Sequence, residues 1–358
     1  MNSAESRHRI PTVAGHTVYT GADRKQPRNS HTDDLRSLKR ALALAARVMP
    51  RATSPNPRVG CVLVKNGRII GDGAHARFGG PHAEAVALGK AGARAKGATA
   101  YVTLEPCAPF PGKKTPSCAQ ALAAAGIKRL IFPSLDPNAA VAGRGAALLR
   151  RAGVRVERRA ELAAEAEALN RGFFSRMRRG RPWVILKTAL SLDGKAAAAS
   201  GRSRWITGPE ARAAAHAMRA ECDAILVGTG TVLADDPALT AHGAGRDPLR
   251  VVLAGRRRLP ARARVFDAAA PTRVYRIQRP ADLRAALRDL ARNGVGTLLV
   301  EGGPTVHAAF LRAGLVDEVR VFLAPKLLSG ADDPNRAPRL KEPRMTRAGG
   351  DWLVQGVL

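Results

Sequence analysis

The chain has 358 residues, enough for two domains that each bury a core of their own. Hydrophobic residues make up 45% of it, as in a globular protein, and no run of 18 apolar residues exists that could span a bilayer as a helix. Lysine and arginine number 59 against 29 acidic residues, a formal net charge of +30 that would attract nucleic acid or a phosphorylated ligand.

Residues 1–31 are polar and basic with no apolar stretch, and are expected to form a disordered extension rather than a secretory signal. Thr32-Asp33-Asp34 is expected to cap a helix carrying Leu35, Leu38, Leu42, Ala45 and Val48 at helical spacing. After the rigid Ser54-Pro55-Asn56-Pro57, a hairpin is predicted: Gly60–Lys65, an Asn66-Gly67 turn, and Arg68–Gly71. A helix opening at Gly79-Gly80-Pro81 follows, then a strand at Ala98–Leu104, a helix at Cys118, and a strand at Arg129–Pro133. Helix Gly145–Ala152 and strand Val154–Glu157 close this half. One hairpin followed by strand–helix alternation argues an α/β sandwich with a mixed sheet.

Glu161–Arg179 reads as one amphipathic connector helix with a basic C-terminal end. A second alternation starts at Pro182. Its strands are Trp183–Ala189, Ala224–Val227, Leu249–Ala254, Thr272–Ile277, Thr297–Glu301 and Glu318–Ala324, with helices Pro209–Ala220, Ala281–Arg292 and Pro304–Ala313. The expected division is thus 1–31 extension, 32–158 first domain, 159–181 connector and 182–358 second domain. Basic clusters occur at Arg176–Arg181 and at Arg256-Arg257-Arg258, but aromatic residues that could stack bases are scarce. Solvated surface is the better reading of the charge.

The chemistry concentrates between His82 and Cys118. His82-Ala83-Glu84, Pro106-Cys107 and Cys118 supply one imidazole, two thiols and a carboxylate outside the ligand set. Three protein ligands would leave the fourth tetrahedral position of a zinc ion for water, as in catalytic sites. Glu84 stands two residues from a ligand, placed to take a proton from that water and hand it to a departing amine. This is the general signature of zinc deaminases. The strand at Ala98–Leu104 is expected to deliver Cys107 to the start of a helix, where the dipole favours thiolate. Cys61 and Cys222 read as core thiols, and the cysteine pattern suits a reducing cytoplasm.

The second half offers two glycine features at strand ends. Val227-Gly228-Thr229-Gly230-Thr231 fails as a dinucleotide fingerprint because Leu233 stands at the third glycine. Glu301-Gly302-Gly303-Pro304 is strand, two glycines, then proline at the first position of a helix, with backbone N–H groups open to a phosphate or to a tight turn. Lys187, Ser191–Lys195 and Asp235-Asp236-Pro237 add polar residues at further strand ends. The residues alone give a second α/β domain with a nucleotide-like site.

From Thr32 to the end, the chain resembles the bifunctional riboflavin-biosynthesis deaminase–reductases. The resemblance rests on Asn56-Pro57-Arg58-Val59-Gly60, Pro81–Glu84, Ala100–Cys107, Asp136-Pro137-Asn138, Val141–Gly145, Lys187–Lys195, Trp205-Ile206-Thr207, Val232–Thr240 and Glu301–Pro304. It implies a cytidine-deaminase-like α/β/α sandwich followed by a dihydrofolate-reductase-like α/β domain. It also implies zinc-dependent hydrolytic deamination of a diamino-pyrimidinone ribosylamine phosphate, then NADPH reduction of the ribosyl group to ribityl. By the same resemblance His82, Cys107 and Cys118 hold zinc and Glu84 moves the proton, while Asn56, His75, Lys114, Asp136 and Asn138 hold the substrate. In the second half it implies catalytic roles for Lys187, Asp236 and Glu301 and substrate contacts from Thr207, Arg219 and Leu239. Gly228, Gly230, Thr231, Gly302 and Gly303 would lie near the cofactor.

Three departures from the family pattern stand out. The loop between Cys107 and Cys118 is two residues longer and lacks a histidine that helps hold the phosphate, Val252–Gly255 lacks an Asp-Ser, and His242 stands where an arginine is common. They suggest, as an alternative, a specialised paralogue acting on a related pyrimidine phosphate in toxoflavin-like metabolism, with an altered reductase. A tRNA deaminase would account for the charge, but those enzymes space their cysteines as C-x-x-C. The expected partner is a small pyrimidine phosphate, with neither membrane nor nucleic acid, in a possible homo-oligomer.

Overall fold

The computed structural model of the chain describes residues 30–109, 117–139, 141–349 and 351–358. The expected extension falls outside these except for its last residues, and so does Lys114. No helix among the described residues is long and apolar enough to cross a membrane.

The first half is built on a five-stranded sheet. Helix α1 (Ser30–Ala46) precedes β1 (Gly60–Lys65) and β2 (Arg68–Ala74); α2 (Ala83–Ala91), β3 (Thr99–Val102), α3 (Cys118–Ala124), β4 (Arg129–Phe132), α4 (Arg144–Arg151) and β5 (Arg155–Arg158) follow. The strand order is β2-β1-β3-β4-β5, antiparallel through the hairpin and from β1 to β3, then parallel. Alternation along β1 sorts the core. Cys61 and Leu63 pack with α2, α3 and α4, whereas Val62 faces the other way onto Leu38, Ala41 and Leu42 of α1. The result is the expected three-layer sandwich. Asn66 and Gly67 both take positive φ, 51° and 73°, as the two-residue hairpin turn requires.

The second half carries a six-stranded, wholly parallel sheet. Its elements are β6 (Trp183–Ser191), α7 (Pro209–Glu221), β7 (Ala224–Gly228), α8 (Thr229–Asp235), β8 (Leu249–Ala254), β9 (Thr272–Arg276), α9 (Pro280–Arg292), β10 (Thr297–Val300), α10 (Pro304–Arg312) and β11 (Glu318–Ala324). The order is β11-β6-β10-β7-β8-β9. Strand interiors such as Ile225, Leu226, Val251 and Leu299 are buried on both faces, hence their continuous apolar runs. A closing hairpin, β12 (Lys341–Ala348) with β13 (Asp351–Val357), was not predicted. Every residue of β12 is exposed, so no apolar alternation betrays it.

Two local expectations are corrected. The first helix already includes Ser30, so Asp34 is no cap. It lies buried and accepts hydrogen bonds from both Arg129 Nη atoms (2.8 Å each), from Arg159 Nη2 (2.9 Å) and from the Tyr101 hydroxyl (2.9 Å). Burial pushes its carboxyl up, but these donors outweigh it and hold the group below its ordinary value. The connector is not one helix but two, α5 (Ala163–Leu169) and α6 (Arg171–Arg179), broken at Asn170. The Asn170 amide accepts from Arg58 N (2.8 Å) and donates to Arg58 O (2.9 Å), and its φ of −123° leaves the helical range.

Asp34 joins α1 to β3, β4 and the start of the connector through charge-assisted bonds, so its loss leaves two half-buried guanidinium groups short of a partner. Asp34→Ala is expected to cost about 3 kcal/mol in urea denaturation of the first half. A loss below about 1 kcal/mol would mean that the network is worth no more than a surface ion pair.

Candidate active sites

Each member of the His–Cys–Cys set is placed by a different piece of the first sheet. His82 is the N-cap residue of α2, and Glu84 sits in that helix's first turn. Cys107 lies in the stretch that leaves β3, and Cys118 opens α3 behind the Ser117–Gln120 capping box. The expectation that Cys107 begins a helix is therefore corrected. The helix N-terminus belongs to Cys118, whose N–H donates to Cys107 Sγ at 3.3 Å, so the dipole still favours the Cys107 thiolate.

His82 Nδ1 lies 3.2 Å from Cys118 Sγ and 3.8 Å from Cys107 Sγ, and all three ligand atoms fall within 4.8 Å of one another. Ligands at zinc bond lengths in a tetrahedron sit about 3.5–3.8 Å apart, so the set fits that ion. The chemistry of the cluster agrees. The Cys107 sulfur, with burial, pushes the Cys118 thiol far up, and burial with the nearby Cys107 raises Glu84. A divalent cation is the group that reverses this and holds both sulfurs as thiolates.

His82, Glu84 and Cys107 border a cavity of about 190 Å³ whose wall also includes Asn56, His75, Glu105, Asp136, Asn138 and Phe173, and Cys118 joins them through the ligand cluster. All the described candidates of the first half thus converge. His75 Nδ1 is 3.0 Å from the Pro81 carbonyl, and its ring meets His82 edge-on at 5.1 Å. Burial pushes Asp136 up to about 6, aided by the neighbouring Glu105. Glu105 was not singled out in the sequence. Its buried carboxylate accepts from the N–H groups of Asp136 (3.3 Å), Gly143 (2.9 Å) and Ala146 (3.0 Å), and so ties Asp136, beside Asn138, to the start of α4.

In the second half a cavity of about 790 Å³ opens at the C-terminal ends of β6 and β10. Lys187, Thr207, Arg219, Glu301 and Gly303 line it together with His216 and His307. Arg219 grips Glu301 in a fork, Nε at 2.9 Å and Nη2 at 2.8 Å, and Lys187 Nζ stands 4.0 Å away. Burial pushes Glu301 up, yet the Arg219 pair and Lys187 prevail and hold it below its ordinary value.

The other candidates of this half lie outside the lining of this cavity. Asp236 does not line the cavity; its Oδ1 accepts from Arg264 N at 2.8 Å, and Asp235 stands at the cavity wall instead. Leu239 is buried in the core with Ile225, Val227 and Val232. Gly302 and Gly228 are closely packed: a Cβ at Gly302 would meet the Val227 backbone at 2.7 Å, and one at Gly228 would meet Val306 at the same distance. Gly230 and Thr231 lie in α8, which was not predicted because its seven residues are short and begin Thr-Gly-Thr. Thr231 nonetheless lies against Gly303, which lines the cavity, and the Arg257 guanidinium stands beside Gly230.

Comparison with known proteins places both halves. Residues 15–134 match the cytidine and deoxycytidylate deaminase zinc-binding region, and residues 182–354 match the RibD C-terminal domain. The riboflavin biosynthesis protein RibD of Escherichia coli (strain K12) is 43% identical over 328 residues, 82% of this chain and 88% of its own. The RibD of Aquifex aeolicus (strain VF5) is 41% identical over 316 residues, 82% of this chain and 88% of its own. Among solved structures, RibD of Acinetobacter baumannii in its form 1 aligns with a TM-score of 0.76 at 38% identity, covering 88% of this chain and 95% of that one. A deaminase/reductase from Thermotoga maritima gives 0.75 at 36%, covering 91% and 98%.

A zinc-binding deaminase half joined to a parallel-sheet reductase half defines the class of protein. The chain belongs to the RibD family of riboflavin biosynthesis proteins. The fold expected from the resemblance is borne out, and neither the specialised paralogue nor the tRNA deaminase gains support.

Glu84→Gln keeps all three metal ligands and removes only the base. Zinc content by atomic emission is expected to stay near one per chain while ammonia release falls by at least about a hundredfold. Wild-type turnover in this variant would remove Glu84 from the proton path.

Proposed function

We propose that this chain deaminates the pyrimidine ring of a diamino-pyrimidinone ribosylamine 5′-phosphate and then reduces its ribosyl group to ribityl with NADPH. The observation that carries the first step is the His82–Cys107–Cys118 cluster, of which His82 and Cys107 share one cavity with Glu84, Asn56, Asp136 and Asn138. When bound, zinc supplies the Lewis acid that makes water a nucleophile near neutral pH. Glu84, buried and with a raised affinity for protons, takes the proton of the attacking water and returns one to the departing amine nitrogen. Asn56, Asp136 and Asn138 orient the ring by its polar edge, with His75 at the cavity wall. Lys114, outside the described residues, is the candidate partner of the phosphate.

For the second step NADPH supplies the hydride. Lys187, close to Glu301 but not closed onto it, is the proton donor best placed for the sugar oxygen released as the ring opens. Glu301 and Arg219 fix the charge around it, Thr207 adds a polar contact, and Gly230, Thr231 and Gly303 with Arg257 receive the cofactor's phosphates. No metal ligands converge among the described residues of this half. We assign residues 32–158 to deamination, 159–181 to the connector and 182–358 to reduction, in a cytoplasmic enzyme. Val319, Val321 and Leu323 along β11, with Trp352 and Leu353 on the last hairpin, are exposed and support a homo-oligomer formed through the second half.

Zinc-replete protein given the diamino substrate and NADPH is expected to release ammonia and oxidise NADPH in the same reaction. Ammonia without NADPH oxidation would leave the second half without its proposed activity. Glu301→Gln is expected to slow NADPH oxidation at least about tenfold while leaving deamination within about twofold. Loss of both activities would show that the halves do not work independently.

The raised Asp136 gives a pH signature. A carboxyl with a value of about 6 loses its charge as pH falls through 6, well above the ordinary carboxylate range. If the charged form accepts a hydrogen bond from the pyrimidine, KM for deamination rises between pH 7 and pH 5. Asp136→Asn is expected to flatten that rise, and an unchanged profile would contradict the role.

A further inference from the structure

The wall of the deaminase cavity is not made by the first half alone. Phe173 lines it, and Phe173 belongs to α6, the connector helix that leads into β6. Its neighbour Phe174 is buried, whereas Phe173 is only half-buried, set edge-on to it at 6.0 Å. A second cavity, of about 330 Å³, shares Phe173 and Asn56 with the first and reaches the N-terminal edge of the second sheet at Trp183, Thr297 and Glu318.

The segment before Phe173 is held from both sides. Asn170 pairs with both backbone groups of Arg58, two residues from Asn56. The Arg58 guanidinium returns the contact to the Val48 carbonyl at 3.0 Å and to the Leu169 carbonyl, and Arg176 Nη2 donates to Pro55 O at 2.9 Å. On the other side Gly172 lies flat against the second sheet, where a Cβ would meet Gly296 and Thr297 at 2.8 Å. The connector is therefore wedged between the strand that opens at Gly296–Thr297 and the loop that carries Asn56.

We propose that the connector completes the deaminase substrate site: Phe173 is a substrate-contacting wall residue, and Asn170 is a positioning residue that sets Asn56 through the Arg58 backbone. This rests on the deaminase reading given above. Neither residue belongs to the His82–Cys107–Cys118 set or to the proton path through Glu84, so the effect falls on substrate binding rather than on the hydrolytic step. The expected ligand contact is apolar and planar, the face of a pyrimidine ring against a phenyl edge or face.

The test is steady-state deamination by full-length, zinc-replete protein. Phe173→Ala and Asn170→Ala are each expected to raise KM about tenfold or more, the usual loss when an apolar wall is trimmed, with kcat within about threefold. Zinc content and NADPH oxidation on supplied deaminated intermediate should not move. Phe173→Leu, which keeps apolar bulk and packing, is expected to recover most of the affinity and shows that the chain still folds. Asn170→Asp retains the acceptor for Arg58 N but loses the donor to Arg58 O, and is expected to fall between wild type and alanine.

Unchanged KM in both alanine variants overturns the proposal, as does a fall in kcat, zinc content and NADPH oxidation together, which is the pattern of a general structural defect. If wild-type protein itself releases no ammonia, the deaminase reading fails, and this inference with it.

Discussion

The first half depends on a concentration of ionisable groups that ordinary folding would avoid. An imidazole, two thiols and a carboxylate meet at the end of one sheet, with Glu84 and Cys118 almost fully buried. Burial alone drives such groups to their neutral forms, and the proximity of Cys107 drives Glu84 and Cys118 further the same way. A divalent cation turns this liability into the driving force of the site, because it stabilises the thiolates and leaves the carboxylate free to handle protons. The surrounding architecture follows from that requirement. The Ser117–Gln120 capping box fixes Cys118, the first turn of α2 fixes His82 and Glu84 together, and Glu105 ties Asp136, beside Asn138, to the start of α4.

The second half solves a different problem with the same materials. Its charges also cluster at strand ends, but they compensate one another: Arg219 forks onto Glu301, and Lys187 stands 4.0 Å off. A buried pair of this kind is stable without any cation. The two cavities also face apart. The deaminase pocket adjoins the N-terminal edge of the second sheet through Asn56 and Phe173, while the reductase cavity opens at the C-terminal ends of β6 and β10. An intermediate passing from one site to the other in a single chain must travel around that sheet, so the connector joins the halves mechanically rather than as a conduit.

Much of this was legible in the residues. Helical and two-residue periodicities locate most strands and helices to within a few residues, since each buries one face or both. The His–Cys–Cys–Glu pattern carries the zinc site because the ligand chemistry admits few substitutes. What escaped has a physical reason in each case. The β12–β13 hairpin buries no apolar face and so leaves no alternation to read. Asn170 breaks the connector through a tertiary contact with Arg58, which helical periodicity cannot reveal. At Gly228 and Gly302 a side chain would also collide with Val306 and the Val227 backbone, a close approach that only the folded chain reveals. Glu105 and Phe173 are ordinary in sequence and acquire their positions only when distant segments meet.

The claim on which the rest stands is that His82, Cys107 and Cys118 together hold a single zinc ion with a position left open. X-ray absorption at the zinc edge of the purified protein tests it directly. The account predicts one zinc per chain with two sulfur ligands at about 2.3 Å, one imidazole nitrogen at about 2.0 Å and one light-atom ligand from water. A third sulfur in the shell would bring Cys61 or Cys222 into the site. That result, or zinc well below one per chain in metal-replete preparations, would contradict the assignment.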